Sequence, residues 1–284
     1  MTPTLHAARL GLSRGWIEFK HSLTNPPNLG GILAGTAVLV VVLYFQRDAK
    51  LPGTGLSLAS ASLPGTLALM VPLNGLLGMV GSLALEREDG TLLRAKALPQ
   101  GMVGYLVGRV TMHSVSTLSA LVVMLVAGLF FVPGLLGIGP GKWLALAWFA
   151  LLGLLSALPL GAIIGSLVGS PQGAGALSMI AIGGLTAISG IFYPITALAG
   201  WLQGLAHVFP LYWLGLGMRS ALLPDSAAAA EIGSSWRPVE TTLVLLAWAV
   251  AGLVLAPPIL RRVARRESGS LMEARRHQAM QRLT

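Results

Sequence analysis

The distribution of charged residues divides the chain into long apolar stretches and short polar connections. Asp, Glu, Lys and Arg are all absent from residues 51–85, 110–141, 143–218 and 241–260. Each stretch equals or exceeds the ~20 residues that an α-helix needs to cross the hydrocarbon core of a bilayer. The pattern therefore predicts an all-α integral membrane protein in which several helices cross the membrane.

Charged segments and Pro/Gly-rich turns set the expected limits of each crossing helix. Within a transmembrane domain covering residues 29–260, we expect six spans, at about 29–45, 63–85, 105–131, 143–168, 174–191 and 239–260. The segment 86–104, which is rich in charge, connects the second and third spans. The first span has no small-residue cleavage site after it, so we expect it to remain as an anchor.

The apolar stretch 143–218 is too long for one crossing. Its 76 residues would form roughly 114 Å of helix, enough to cross a ~30 Å core two or three times. Residues 189–194 (Ser-Gly-Ile-Phe-Tyr-Pro) and the pair Phe209-Pro210 interrupt it. We therefore expect a broken, re-entrant hairpin over residues 192–216, facing the outside. An ordinary outer loop is the alternative, although this segment is very apolar for contact with water.

The amino-terminal residues show the periodicity of an amphipathic helix. Apolar residues recur on one side of a helix over residues 5–23, at Leu5, Leu12, Trp16, Phe19 and Leu23. The polar residues Arg14, Glu18 and His21 lie on another side. This pattern predicts an interface helix within a cytoplasmic segment, residues 1–28. Pro26 and Pro27 end it, because proline cannot donate a helical hydrogen bond.

Small residues recur every four positions along the fourth predicted span, at Gly153, Ala157, Gly161, Gly165 and Gly169. Such a ridge lets a second helix approach closely within a membrane. Close helix packing is the preferred interpretation, and a role in permeation is the alternative.

Composition supports the membrane assignment and excludes several kinds of chemistry. The chain is 54% hydrophobic and 10% charged, with a mean hydropathy of +0.76, whereas soluble domains carry about 25% charged residues. The chain has no cysteine, which excludes disulfides and cysteine-ligated metals. The net charge of +9 is concentrated beside the spans, which is typical of membrane flanks rather than of nucleic-acid binding.

The basic residues also predict the orientation. With six spans and both termini in the cytoplasm, fourteen of the 19 Lys and Arg residues lie inside and five lie outside. A seventh crossing would place the seven arginines of the basic tail, residues 261–284, on the outer side. That arrangement contradicts the positive-inside rule, so we prefer six spans.

Motifs for several activities are missing. The chain contains no Gly-x-x-x-x-Gly-Lys-Ser/Thr loop for ATP phosphates and no Gly-x-Ser-x-Gly nucleophile elbow. Its five histidines are scattered without a second ligand at helical spacing, so we expect no metal site. The spans also lack the carboxylate pairs expected of a proton relay. These features argue against two alternatives, an ion- or proton-coupled carrier and a membrane-embedded enzyme or scaffold.

The densest polar cluster lies at residues 86–99. It reads Glu-Arg-Glu-Asp-Gly-Thr, followed by Leu-Leu-Arg-Ala-Lys-Ala-Leu-Pro. Asp-Gly favours a turn, Thr91 is placed to cap a helix that begins at Leu92, and Pro99 ends that helix. The cluster therefore predicts a short cytoplasmic helix, and a solvated loop is the alternative.

This cluster resembles the Glu-x-Glu-x-Gly-Thr segment and following Leu-Pro of the ABC type-2 permease family. These proteins are the membrane subunits of ATP-driven exporters, including those of the multidrug and daunorubicin-resistance type. Residues 189–194, 201–203 (Trp-Leu-Gln), 209–210 and 218–219 (Met-Arg) are similar to the family signature before its last span. The resemblance, which extends over nearly the whole chain, also includes the amphipathic first helix and the order of six spans.

The resemblance implies a division of labour among subunits. The loop between spans two and three would form a coupling helix on a separate nucleotide-binding subunit, which binds ATP and Mg²⁺, so this chain would need no cofactor. The residues that match this motif are Glu86, Glu88, Gly90, Thr91, Leu98 and Pro99. A second permease copy, identical or homologous, would complete a transport path.

The resemblance also implies export of an amphipathic, drug-like or lipid-like substrate across the plasma membrane of a bacterium. Phe192 and Pro194 match the family signature, and Asn74 offers a polar group within a span. These three residues are our candidates for the transport path. Packing is the alternative for Phe192 and Pro194.

Overall fold

A computed structural model describes residues 3–51, 56–168 and 170–266 of the protein. Over these ranges the chain is built of helices and short connections, with no β-strand beyond one isolated bridge between Lys50 and Ser57. The all-α prediction is therefore confirmed for this part of the chain. Most of the basic tail, residues 267–284, lies outside the described residues, as does Gly169.

The helices follow the predicted order. They are α1 (Pro3–Thr24), α2 (Pro26–Gln46), α3 (Leu58–Met70), α4 (Leu77–Glu88), α5 (Thr91–Ala97), α6 (Gly101–Phe131), α7 (Pro140–Leu167), α8 (Pro171–Ile188), α9 (Gly200–Val208), α10 (Pro210–Leu222) and α11 (Pro238–Arg266). A π-helical turn, Val71–Leu76, joins α3 to α4 without a break. Short 3₁₀ turns occupy several connections, including Ile195–Ala197 and Asp225–Ala230.

Within the described residues, five helices are long and apolar enough to cross a membrane. They are Leu58–Arg87, Gly101–Phe131, Pro140–Leu167, Pro171–Ile188 and Pro238–Leu260, and they correspond to predicted spans two to six. Helix α2 lies where the first span was predicted, but its apolar part, Leu33–Gln46, is shorter than those of the other five helices. That part measures roughly 20 Å at 1.5 Å per residue, less than a ~30 Å core. The count of six spans therefore stays a prediction.

Helix α7 occupies the centre of the molecule and packs against α4, α10, α11 and the π-helical turn. Its glycines allow these close approaches. A Cβ atom on Gly161 would lie 2.6 Å from the carbonyl oxygen of Leu76, and one on Gly165 would lie 2.8 Å from that of Val80. The small-residue ridge is thus a packing surface.

Helix α1 packs along α6 through a different face from the one that the sequence indicates. Gly11 and Gly15 are buried, and a Cβ atom on either would collide with the carbonyl oxygens of Gly104 and Gly108 of α6. Of the predicted apolar face, Phe19 alone is buried, while Leu5, Leu12, Trp16 and Leu23 are exposed. Apart from Phe19, the apolar side is therefore not used for packing within the described chain. Contact of this side with lipid stays a prediction.

The segment before the last span is a broken pair of helices, as its sequence indicates. Gly190, with φ of 61°, follows the end of α8, and Phe209 in an extended conformation separates α9 from α10. Helix α10 is largely buried and continues to Leu222, six residues past the expected end at 216. The additional length follows from burial of its apolar residues beside α7. Re-entry of this pair into the membrane stays a prediction.

Candidate functional site

The short helix α5 lies between two candidate spans and is formed by local turn chemistry. Helix α4 ends at Glu88, and the chain then turns at Gly90, whose φ of 77° is a conformation that glycine adopts readily. The Asp89 Oδ1 atom accepts a hydrogen bond of 2.8 Å from the backbone N–H of Thr91. Leu98 is extended, with ψ of 144°, as expected for a residue before Pro99. The predicted cytoplasmic helix therefore exists as a helix of Thr91–Ala97.

The predicted capping role of Thr91 is wrong. Thr91 is the first residue of α5 rather than the residue before it, and Gly90 occupies the N-cap position. The Thr91 hydroxyl instead accepts a hydrogen bond of 3.1 Å from Arg94. Asp89 supplies the oxygen at the start of the helix because a short acidic side chain can bond the backbone two residues ahead.

Glu86 matches the coupling motif, but its side chain is not exposed to a partner. Glu86 is only 7% exposed. Its carboxylate accepts a hydrogen bond from the Tyr105 hydroxyl and forms an ion pair with the Arg109 guanidinium. A buried carboxylate requires such partners because an isolated charge in an apolar interior is very costly. Glu86 therefore acts within the chain, joining α4 to α6.

The Arg109 guanidinium extends this contact to α1. Its Nη1 atom lies 3.1 Å from Glu18 Oε2, and Glu18 Oε1 accepts a hydrogen bond of 2.7 Å from Arg14 Nε. This hydrogen bond raises the pKa of Arg14 above its usual value. The inner charge cluster, comprising Arg14, Glu18, Glu86, Tyr105 and Arg109, thus ties together α1, α4 and α6.

A second contact fixes the end of α4 to α7. The Arg87 guanidinium donates to the carbonyl oxygen of Ser166 and, at 2.9 Å, to that of Val168. These carbonyls lie at the end of α7, where a helix has no intrahelical donors left for its last oxygens. Arg87 is buried, so the acidic segment predicted for a partner begins with two residues that bind neighbouring helices.

Two residues of the predicted coupling motif face outward, Pro99 and Leu98, and Leu98 is 64% exposed. Thr91 is half-buried and Gly90 is buried, whereas the neighbouring Asp89 and Arg94 are exposed. A groove of about 520 Å³ runs between α1 and the α5–α6 connection, beside Leu98 and Pro99. The structure does not describe the side chain of Glu88. The structure therefore leaves only the exposed residues of α5 and of its flanking turns available to a partner, while the buried Glu86 joins α4 to α6.

The three candidate transport-path residues lie in two separate parts of the chain. Asn74 belongs to the π-helical turn, and its Nδ2 atom donates a hydrogen bond of 3.1 Å to the carbonyl oxygen of Met70. Phe192 and Pro194 are exposed in the connection after α8. The Asn74 amide donor is thus engaged within its own helix. The transport-path role of all three residues stays a prediction.

The partners of Glu86 were not predicted from the sequence. Arg109 is the ninth residue of α6, and an ionisable residue within an apolar helix usually has a partner. That signal indicates a pair without identifying Glu86 and Glu18 as its members. In the described ranges, no group of three or more His, Asp or Glu side chains could hold a metal ion.

The family of the chain follows from its sequence and agrees with this architecture. Comparison with curated proteins finds no matching relative. A family model described as ABC-2 type transporter matches residues 16–223, a range that includes most of α1, the whole coupling segment and the broken helix pair. Members of this family are membrane components of transporters and are not themselves ATPases. The protein is therefore a multi-pass membrane protein that belongs to the ABC-2 type transporter family.

Proposed function

We propose that this chain is the permease subunit of an exporter that moves an amphipathic, drug-like or lipid-like substrate out of the cell. In this proposal, a separate nucleotide-binding subunit binds ATP and Mg²⁺, and a second permease copy completes the transport path. The permease lies in a bacterial plasma membrane with both termini in the cytoplasm. The fourteen-to-five distribution of basic residues supports this orientation.

The observation that carries the proposal is the attachment of α5 to the spans on both sides. Helix α5 is exposed at Arg94, yet Glu86, four residues before Gly90, is paired with Arg109 of α6. A short helix in this position can receive a push from a partner. The buried pair resists separation of α4 from α6, because either charge would be left without its partner.

A movement of α5 would reach four helices through identified contacts. Helix α4 follows directly through the turn at Gly90, and α6 follows through the Glu86–Arg109 pair. Helix α1 is joined through Glu18, and α7 through Arg87. In this mechanism, closure of the ATPase subunits tilts these inner helix ends together and opens the path toward the outside.

The first test identifies the partner and establishes a transport assay. Tagged protein is purified from its host, the co-purifying ATPase is identified by mass spectrometry, and the complex is reconstituted in vesicles. We expect ATP-dependent movement of a fluorescent amphipathic cation such as daunorubicin, and no ATP hydrolysis by the permease alone. Purification of a correctly inserted permease with no ATPase, together with transport driven by a proton gradient, would contradict the proposal.

The second test concerns Gly90, where valine would be forced into a left-handed conformation that β-branched residues strongly disfavour. We expect Gly90→Val to reduce transport and substrate-stimulated ATPase activity by at least about tenfold, with normal membrane insertion. Glu88→Lys should lower both activities together. The matched control is Gly134→Val, because Gly134 has a similar φ of 80° in the connection between α6 and α7. Equal losses in the two glycine variants would show that backbone strain alone is responsible.

A further inference from the structure

An apolar cavity of about 250 Å³ lies within the helix bundle, separate from the inner charge cluster. Helices α7, α8, α10 and α11 and the π-helical turn surround it. The residues important here are Pro72, Ala157, Ile182, Pro210, Leu214 and Trp248. Two of these residues mark the main helix interruptions in this region, since Pro72 lies in the π-helical turn and Pro210 follows the break between α9 and α10.

The polar side chains of the cavity wall are already satisfied. The Ser156 hydroxyl donates a hydrogen bond of 2.9 Å to the carbonyl oxygen of Gly153. The Trp248 indole N–H donates one of 2.8 Å to the carbonyl oxygen of Val208. Ordered water needs two to four polar partners, and this wall offers no side-chain donor for it or for a polar ligand. The cavity therefore suits a purely hydrocarbon occupant.

The shape of the cavity restricts that occupant further. Its wall on α7 follows one helix face from Gly153 to Ile164, a length of about 16 Å at 1.5 Å per residue. This is about half of the ~30 Å hydrocarbon core, which is the depth that one leaflet contributes. Helix α8, which is mostly exposed, contributes the exposed residue Ala181 to the wall. A chain from the surrounding bilayer can enter past this residue.

We propose that the cavity binds a single acyl chain of a membrane lipid, with the lipid head group remaining outside the bundle. An unfilled apolar cavity forfeits dispersion contacts around its whole wall, and a hydrocarbon chain restores them without desolvating any polar group. The bound chain touches both helix interruptions, at Pro72 and Pro210. This inference does not depend on the proposed function, because binding is a property of the isolated chain.

The test uses a long-chain fatty acid that carries a photoreactive diazirine at the end of its chain. The purified protein is placed in phosphatidylcholine nanodiscs, irradiated with the probe and digested for mass spectrometry. We expect adducts concentrated on residues 153–164 and 181–185, with saturation near one probe per chain and displacement by excess unlabelled fatty acid. Labelling that is spread along exposed helix faces and does not saturate would overturn the proposal.

Variants then test the position of the bound chain. Ala157→Phe fills the cavity and should reduce saturable labelling at least about fivefold, and Ile182→Phe should do the same from the opposite wall. The matched control, Ala251→Phe, makes the same change as the first on an exposed position of α11, and should retain labelling. Unchanged labelling in either folded cavity variant would contradict the assignment. If both variants fail to fold, the saturation and location of labelling in the unmodified protein decide the question.

Discussion

At the scale of single residues, the most consequential interactions are buried ion pairs at opposite ends of the bundle. The inner charge cluster lies at one end. At the other, Arg219 of α10 pairs with Glu231 at 2.7 Å, with both side chains less than 10% exposed, and also donates to the carbonyl oxygen of Gly190. Arg219 thus joins α10 to the turn after α8 and to the connection before α11.

Removal of Glu231 should therefore destabilise this end of the protein. Glu231→Ala leaves the buried Arg219 charge without its carboxylate, and we expect a loss of about 3–5 kcal/mol in the free energy of unfolding. Denaturant titration in detergent measures this loss. Asp225→Ala is the matched control, because the Asp225 side chain is 86% exposed and pairs with Lys142 at 3.3 Å. Exposed pairs contribute at most about 1 kcal/mol, so equal losses in the two variants would contradict this assignment.

At the scale of elements, the docking of α1 on α6 depends on the absence of side chains at Gly11 and Gly15. We expect Gly15→Val to separate the two helices near Ser22, which is 4% exposed in the folded protein. A cysteine introduced as Ser22→Cys, nearly isosteric with serine, should then react with maleimide at least about tenfold faster, since opening of the contact controls access. Gly35→Val on α2 is the control, as no atom lies within 4 Å of its added Cβ. Unchanged reactivity with Gly15→Val would mean that α1 is held elsewhere.

The elements also show which features a sequence can predict. The five candidate spans and α5 followed from hydrophobic runs, Asp-Gly and Pro99, because these signals act over a few residues. The face of α1 that packs on α6 was not predicted, because a helical wheel identifies a packing face by its apolar residues and gives no weight to glycines. In a membrane, contact with α6 needs small residues, and the apolar side can face lipid. The partner of Glu86 was also missed, because pairing across helices depends on tertiary geometry.

At the scale of the whole molecule, the described contacts separate two ends. Lys142 and Asp225 lie together at one end, whereas α11 reaches α5 at the other. In intact cells, we expect an impermeant maleimide to label Asp225→Cys but not Arg94→Cys or Arg275→Cys. Arg275 lies outside the described residues. The native chain has no cysteine, so each label reports one position. A permeant maleimide, which should label all three variants, is the control. Labelling of Arg94→Cys but not of Asp225→Cys by the impermeant reagent would show the opposite orientation.

The π-helical turn also sets the rotational phase of the second candidate span. A π-turn adds about one residue to a helix, and one residue corresponds to about 100° of rotation at 3.6 residues per turn. Helix α3 faces α10, while α4 faces α7 and α8. If residues 71–76 adopted regular α-helical geometry without the loss of a residue, every side chain of α4 would turn by about that angle relative to α3. Glu86 would then point away from Arg109, so the π-helical turn keeps α3 in register with the end of α4 that leads into α5.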